Sequence, residues 1–269
     1  MGWDYELGFI GGGNMAEAIV RAAIDRGIIE PGRMMVSDPQ PPRLALFERL
    51  GVRAAADNAM VIRQAGQIVL AVKPQTFASL ATELRACNVN EQVLVSIMAG
   101  ITTAKIESAL GRPARIVRVM PNTPLLVGLG MSAVAMGPHA RAGDDELTLR
   151  LLSAAGEAIR VEERDLDAVT AVSGSGPAYV FYLAEAMADA ALKLGLSREH
   201  AALLTKQTIL GAAKLMKDSA EAPAELRRKV TSPGGTTQAA IEHLESAGIS
   251  NEIVQAIQRA ADRSRQLGK

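Results

Sequence analysis

A glycine-rich turn set between a strand-like run and a helical pattern constrains this chain more than any other segment. Leu7–Ala16 reads LGFIGGGNMA, an apolar run followed by three glycines and then helical spacing. Gly11 lets the chain turn off a strand, and Gly13 lets backbone approach a ligand closely. Ala16 supplies the small residue that tight helix–strand packing asks for. Amides opening the next helix then face outward with the positive end of its dipole, which suits a pyrophosphate. A glycine turn also serves packing alone. Its place here, after a strand, before a helix and at the head of an alternating chain, favours a dinucleotide.

The alternation continues for some 160 residues. Short apolar runs at Leu7–Ile10, Met34–Val36, Ile68–Val72, Val93–Ile97 and Ile116–Met120 have the make-up of strands covered on both faces. Helical patterns separate them at Asn14–Arg26, Pro42–Leu50, Asn58–Ala65, Thr76–Arg85 and Thr102–Leu110, and Met131–Met136 and Ala158–Glu162 read as added edge strands. Strand, helix, strand in series predicts a parallel, doubly wound α/β sheet of Rossmann type over residues 1–163. The pattern then changes. Residues 164–269 show only alanine- and leucine-rich helical segments: Asp165–Val172, Pro177–Leu194, Arg198–Met216, Ala222–Val230, Thr236–Ser246 and Asn251–Gln266. Pro177–Leu194 is apolar around much of its circumference, through Tyr179, Val180, Leu183, Met187 and Leu194. Such a helix must be buried on several sides, and pairing with a second subunit is the expected solution.

Composition narrows the function. Lys plus Arg equals Asp plus Glu at 29 each, so no basic excess steers the chain toward nucleic acid or an anionic membrane. Cys87 is the only cysteine, which rules out an intrachain disulfide. His139, His200 and His243 are scattered without metal-ligand spacing, so no metal site is expected. The opening MGWDYELGFI enters a strand with neither a basic start nor a long apolar region, and no run approaches the ~18 apolar residues of a membrane span. A cytoplasmic protein is expected.

In an open α/β sheet, ligands sit beyond the carboxyl ends of the strands, and several loops lie there. Ser37-Asp38-Pro39 follows the second strand at the place where a side chain meets the adenosine ribose. An acidic residue there favours NAD and a basic cluster accommodates the NADP phosphate. Asp38 with Arg43 five residues on leaves that choice divided, and Asp38 equally suits a turn cap. Ala71-Val72-Lys73-Pro74-Gln75 ends another strand, with Pro74 forcing an extended Lys73 and a sharp exit. Small residues at Ser96–Gly100 permit a flat ring to approach, and two prolines bracket Asn122 and Thr123 in Met120–Pro124. Plain turns would serve at each. In the helical part, Ser173-Gly-Ser-Gly-Pro177 reads as a kink, a close helix crossing or a binding turn. Thr231-Ser-Pro-Gly-Gly-Thr-Thr-Gln238 is sharper: its glycines turn amides inward where a helix begins, giving a site for a carboxylate-sized anion. The plainer reading is an N-cap by Ser232 or Thr236.

Taken together, FIGGGNMA at 9–16, AVKPQ at 71–75, VRVMPNTP at 117–124, DAVTAVSGSGPAY at 167–179 and ELRRKVTSPGGTT at 225–237 resemble pyrroline-5-carboxylate reductase across almost the whole chain. The resemblance implies a Rossmann domain followed by a helical domain that interlocks with a partner subunit. It implies a homodimer, with further assembly into rings such as a decamer. It implies NADPH as the usual hydride donor, with NADH also used, for reducing a cyclic imine in the last step of proline biosynthesis. Cofactor-contacting positions fall on Gly11, Gly12, Gly13, Asn14, Met15, Ser37, Asp38, Asn58, Ala71, Val72, Lys73, Pro74, Ala99, Gly100 and Asn122. The substrate carboxylate falls on Ser232, Gly234, Gly235, Thr236 and Thr237, with Glu163 nearby, and Thr237 is expected to hold the ring nitrogen. Two rivals stay open. A hydroxyacid or 6-phosphogluconate type of dehydrogenase would need a lysine base such as Lys193, Lys206 or Lys214, and a non-catalytic dinucleotide-binding protein would not need the Thr231–Thr237 loop.

Overall fold

The computed structural model describes residues 3–87, 89 and 91–268. These form two compact units, one running to Ser175 and taking back the stretch from Ala260, the other spanning Gly176–Arg259.

The first unit is built on strands β1 (Tyr5–Ile10), β2 (Met34–Ser37), β3 (Arg53–Ala54), β4 (Ala65–Leu70), β5 (Val93–Ser96), β6 (Arg115–Met120), β7 (Gly130–Met136) and β8 (Gly156–Arg160). They form one sheet in the order β3-β2-β1-β4-β5-β6-β7-β8. Neighbours from β3 through to β6 are parallel, β7 runs antiparallel to β6, and β8 parallel to β7. The helices are α1 (Asn14–Asp25), α2 (Pro41–Arg49), α3 (Asn58–Gln64), α4 (Phe77–Ala86), α5 (Thr103–Leu110) and α6 (Glu146–Ala154). Alternation along the strands shows why both faces are covered. Leu7, Phe9, Val69 and Val95 pack with Ile19 and Val20 of α1 and Leu151 and Leu152 of α6. Ile10, Ile68, Leu70 and Leu94, pointing the other way, pack with Ile62 of α3, Leu84 of α4 and Ile106 of α5.

The expected doubly wound sheet is present, with two elements beyond the sequence reading. β3 is only two residues long, and α6 supplies a cover for β8 that the reading left as loop. The sheet reverses direction between β1 and β4, which opens the switch-point crevice where such folds bind ligands. Backbone bonds fix its floor: Gly11 N–H donates to the Ser37 carbonyl at 2.8 Å, and Ala71 N–H to the Ile10 carbonyl at 2.9 Å.

After β8, a short helix α7 (Leu166–Val169) passes into one π turn over Thr170–Gly174, so the Ser173–Pro177 interruption is a widened helical turn. The second unit contains α8 (Gly176–Lys193), α9 (Arg198–Asp218), α10 (Pro223–Lys229), α11 (Thr236–Ser246) and the first part of α12 (Ile249–Gly268). Its helices bury little on the single chain. α8 has no buried residue among those described, while Phe181, Tyr182 and Leu194 are 62%, 76% and 83% exposed. Among the described residues, no helix is long and apolar enough to cross a membrane.

Candidate functional site

The turn Gly11–Gly13 sits at the mouth of the switch-point crevice. Gly11 has φ +98°, and a Cβ there would stand 2.6 Å from the Ala71 carbonyl oxygen, so only glycine fits. Gly13 is different: its φ of −70° suits any residue, and a Cβ would meet nothing within 4 Å. It is the N-cap of α1 without a side-chain cap hydrogen bond, so the helix opens onto unfilled space. That is the cradle a pyrophosphate requires.

A cleft of about 640 Å³ extends from it. Its walls include eight of the expected cofactor positions: Gly11, Gly13, Ser37, Asp38, Asn58, Ala71, Val72 and Lys73. Sequence reasoning missed Gln40, Asp57, Thr76, Ser79 and Glu83 on the same walls. Asp57 carried a legible signal, as an N-cap candidate ahead of α3, and its carboxylate accepts from Met60 N–H at 2.7 Å. Ahead of Pro74, Lys73 is extended (φ −66°, ψ 142°) as expected, and its side chain is exposed.

The Asp38 carboxylate joins two backbone segments. One oxygen accepts from Gly12 N–H at 2.7 Å, the other from Gln40 N–H at 2.9 Å. The turn-cap role and the cleft position therefore coincide in one residue. Ser37 is buried, and its hydroxyl donates to Asn58 Oδ1 at 2.7 Å, while Asn58 Nδ2 donates to Glu83 at 2.8 Å. Arg43 is held away from the walls. Its Nε donates to the Gly12 carbonyl at 2.6 Å, Nη2 pairs with Glu17 at 2.9 Å, and the guanidinium lies 5.8 Å from the Phe47 ring centroid. Burial pushes the Glu17 carboxyl up, but hydrogen bonds from Arg21 and Arg43 outweigh it and hold the group below its ordinary range.

Other expected positions take different places. Asn14 and Met15 open α1, Gly12 lies under the turn against Phe47, and Pro74 starts the short helix after Lys73. Gly100 follows Ala99 with φ +74° and faces the end of α12, where its Cβ would stand 2.7 Å from that of Leu267. Asn122 is a bridge: its amide donates to the Ser173 carbonyl at 3.0 Å and accepts from Met131 N–H at 2.9 Å. It thereby ties the turn after β6 to the π turn. Glu163 is engaged from two sides. Oε1 accepts from Thr103 N–H at 2.8 Å and Arg118 Nη1 at 3.1 Å, and Oε2 from the Thr103 hydroxyl at 2.5 Å. With Thr103 and Arg118 themselves buried, Glu163 braces the exit of β8 against α5 and β6.

Within the second unit, the loop from Val230 leads into α11. Gly235 is the N-cap of that helix and no side chain caps it, so neither Ser232 nor Thr236 plays the capping role. Gly234 has φ +71° and donates its N–H to Gln238 Oε1 at 2.6 Å, while Gly235 N–H turns back to the Ser232 carbonyl at 3.0 Å. Gln238, which donates in turn to Glu242, is the residue that shapes the loop, and sequence reasoning gave it no role. The uncapped opening of α11, with the hydroxyls of Ser232, Thr236 and Thr237 in the same segment, has the donor chemistry an organic carboxylate needs.

Comparison with known proteins agrees with both units. Residues 163–267 match the family model for pyrroline-5-carboxylate reductase dimerisation, and residues 6–100 the model for NADP oxidoreductase, coenzyme F420-dependent. A pyrroline-5-carboxylate reductase of Methanosarcina acetivorans is 42% identical over 99% of this chain and 99% of that protein. The solved reductase of Coxiella burnetii superimposes with a TM-score of 0.90 at 38% identity, covering 99% of each chain. That of Plasmodium falciparum, solved with NADP bound, does so with 0.88 at 30% identity, covering 100% of each. A switch-point cleft, a carboxylate-competent helix opening and likeness over the full length therefore converge, and this chain belongs to the pyrroline-5-carboxylate reductase family.

Proposed function

We propose that this chain reduces L-1-pyrroline-5-carboxylate to L-proline with hydride from NADPH or NADH, in the cytoplasm, as a homodimer through its C-terminal helices that assembles further into a ring such as a decamer. The observation that carries this reading is the 42% identity running through both units to a reductase of that name. The same likeness speaks against the hydroxyacid type of dehydrogenase and against a non-catalytic binder.

Residues 1–163 supply the dinucleotide site and 164–269 the dimerisation and substrate part. The cofactor fits the cleft because Gly13 leaves space in front of α1, whose opening no side chain caps. Amides of Gly13, Asn14 and Met15 take the pyrophosphate, the Asp38 wall takes the adenosine end, and the Ala71–Pro74 turn takes the nicotinamide side. When bound, NAD(P)H supplies the hydride. The substrate's protonated imine is already electrophilic at C5, so the chain's part is to hold and orient it. The Ser232–Thr237 segment receives the carboxylate, with amides at the opening of α11 as donors. Thr237 accepts the ring N–H in a hydrogen bond and keeps that proton on the nitrogen while C5 is reduced. Gly234 contributes by shape, its N–H being held by Gln238. Glu163 acts as a brace behind the site.

Steady-state oxidation of NADPH and of NADH by the purified protein with racemic pyrroline-5-carboxylate tests the reading. Consumption of half the racemate with formation of L-proline is expected. No turnover with either cofactor would overturn it.

A further inference from the structure

The adenosine end of the cleft is acidic, and its geometry bears on which dinucleotide the protein selects. This rests on the reading of the cleft as the dinucleotide site. Asp38, Asp57 and Glu83 stand on its walls, and Lys73, beyond the end of β4, is the one cation among the described wall residues. Asp38 is fixed rather than mobile, because each carboxylate oxygen accepts one backbone N–H, from Gly12 and from Gln40. A carboxylate offers about four acceptor directions, so two remain for hydroxyl donors. Arg43, the nearby cation that could pair with a phosphate, is turned into the Gly12 carbonyl, Glu17 and the Phe47 face. Freeing it would leave the Glu17 carboxylate with Arg21 alone.

We propose that Asp38 makes this enzyme select NADH over NADPH, by accepting hydrogen bonds from a free ribose 2′-hydroxyl and repelling a 2′-phosphate, while Arg43 serves the scaffold and reads no phosphate. A 2′-phosphomonoester carries roughly −1.5 to −2 charges at neutral pH. Placed against a fixed carboxylate without a compensating guanidinium, it binds at least about tenfold more weakly than the hydroxyl.

The test is titration calorimetry on the purified protein without imine, using NADH, NADPH, 5′-AMP and adenosine 2′,5′-bisphosphate. NADH is expected to bind about tenfold or more tightly than NADPH, and 5′-AMP more tightly than the bisphosphate. Equal binding, or tighter binding of the phosphorylated member of either pair, overturns the proposal. Asp38→Asn and Asp38→Ser, each checked by thermal unfolding, are expected to shrink the gap to within about threefold, mainly by a gain for NADPH. Arg43→Ala is expected to change both affinities alike, and a loss confined to NADPH would overturn the proposal. Gly13→Val separates this from the underlying reading. Its side chain meets nothing in the chain yet fills the cradle, so binding of both dinucleotides is lost if the cleft is the site. Undiminished binding in that variant overturns the site itself, whereas loss there with a wild-type preference for NADPH overturns only the selection.

Discussion

At the scale of single residues, hydroxyls and carboxylates in this chain divide into those engaged by the scaffold and those at ligand-facing openings. Glu163 belongs to the first group, since three donors converge on it. Asp38 belongs to both, holding two amides while lining the cleft. Thr237 sits in the first turn of α11, half-buried, in the segment proposed to hold the imine. Thr237→Ala is expected to lower kcat by ~10²-fold, the effect typical of one positioned polar group acting on a reacting nitrogen. The melting temperature and the affinity for dinucleotide should stay unchanged, and Thr237→Ser should recover most of the rate. Wild-type kinetics in Thr237→Ala, measured by dinucleotide oxidation, would remove this hydroxyl from the mechanism.

At the scale of elements, the edge of the sheet is fastened by charge as well as by apolar contact. Asp144, in the turn before α6, accepts from Arg141 N–H at 2.8 Å and forms a two-bond pair with Arg115 of β6. Burial raises its pKa, but the Arg115 and Arg141 hydrogen bonds prevail and keep the carboxyl below its ordinary 3.8. A group depressed in the folded state stabilises fully above its unfolded pKa and loses that contribution as pH falls through the folded value. Asp144→Asn is therefore expected to cost about 2 kcal/mol at pH 7 in urea unfolding, as for a hydrogen bond to a charged group. The difference from wild type should close as pH drops below 3.8, and a gap that is independent of pH would refute the assignment. None of this was visible in the sequence. Runs such as Leu7–Ile10 and Val93–Ser96 announce themselves, because strands buried on both faces read as continuous apolar stretches. The glycine turn is legible for the same local reason. β3 is too short to carry a period, and α6 follows a polar turn whose two aspartates read as loop while in fact anchoring Arg115 and Arg160. Partners far apart in sequence, as Asp38 with Gly12 or Asn122 with Ser173, leave no trace in spacing, so the site's outline was readable and its wiring was not.

At the scale of the whole molecule, the decisive property is apolar surface that one chain does not cover. The run Val180–Leu183 on α8 is 43–76% exposed, and Leu203, Leu210, Leu215 and Ile253 on neighbouring helices all exceed half exposure. Contiguous apolar patches of this kind are uncommon on monomeric proteins and mark association surfaces. The match of residues 163–267 to a dimerisation model names a partner of the same kind, a second copy. Sedimentation velocity at micromolar concentration should therefore show no species smaller than twice the chain mass. Placing one glutamate on this face, as Leu183→Glu, would bury a charge in the proposed interface, and burying an unpaired charge costs several kcal/mol. Since a two-fold interface repeats each side chain, the penalty enters twice. That variant should sediment as smaller species and unfold at lower temperature, whereas Arg26→Glu, on the first unit's exposed α1 end, should leave the assembly intact. A wild-type protein that sediments as a single chain, or a Leu183→Glu variant with unchanged mass and melting temperature, would show that these helices are covered in some other way.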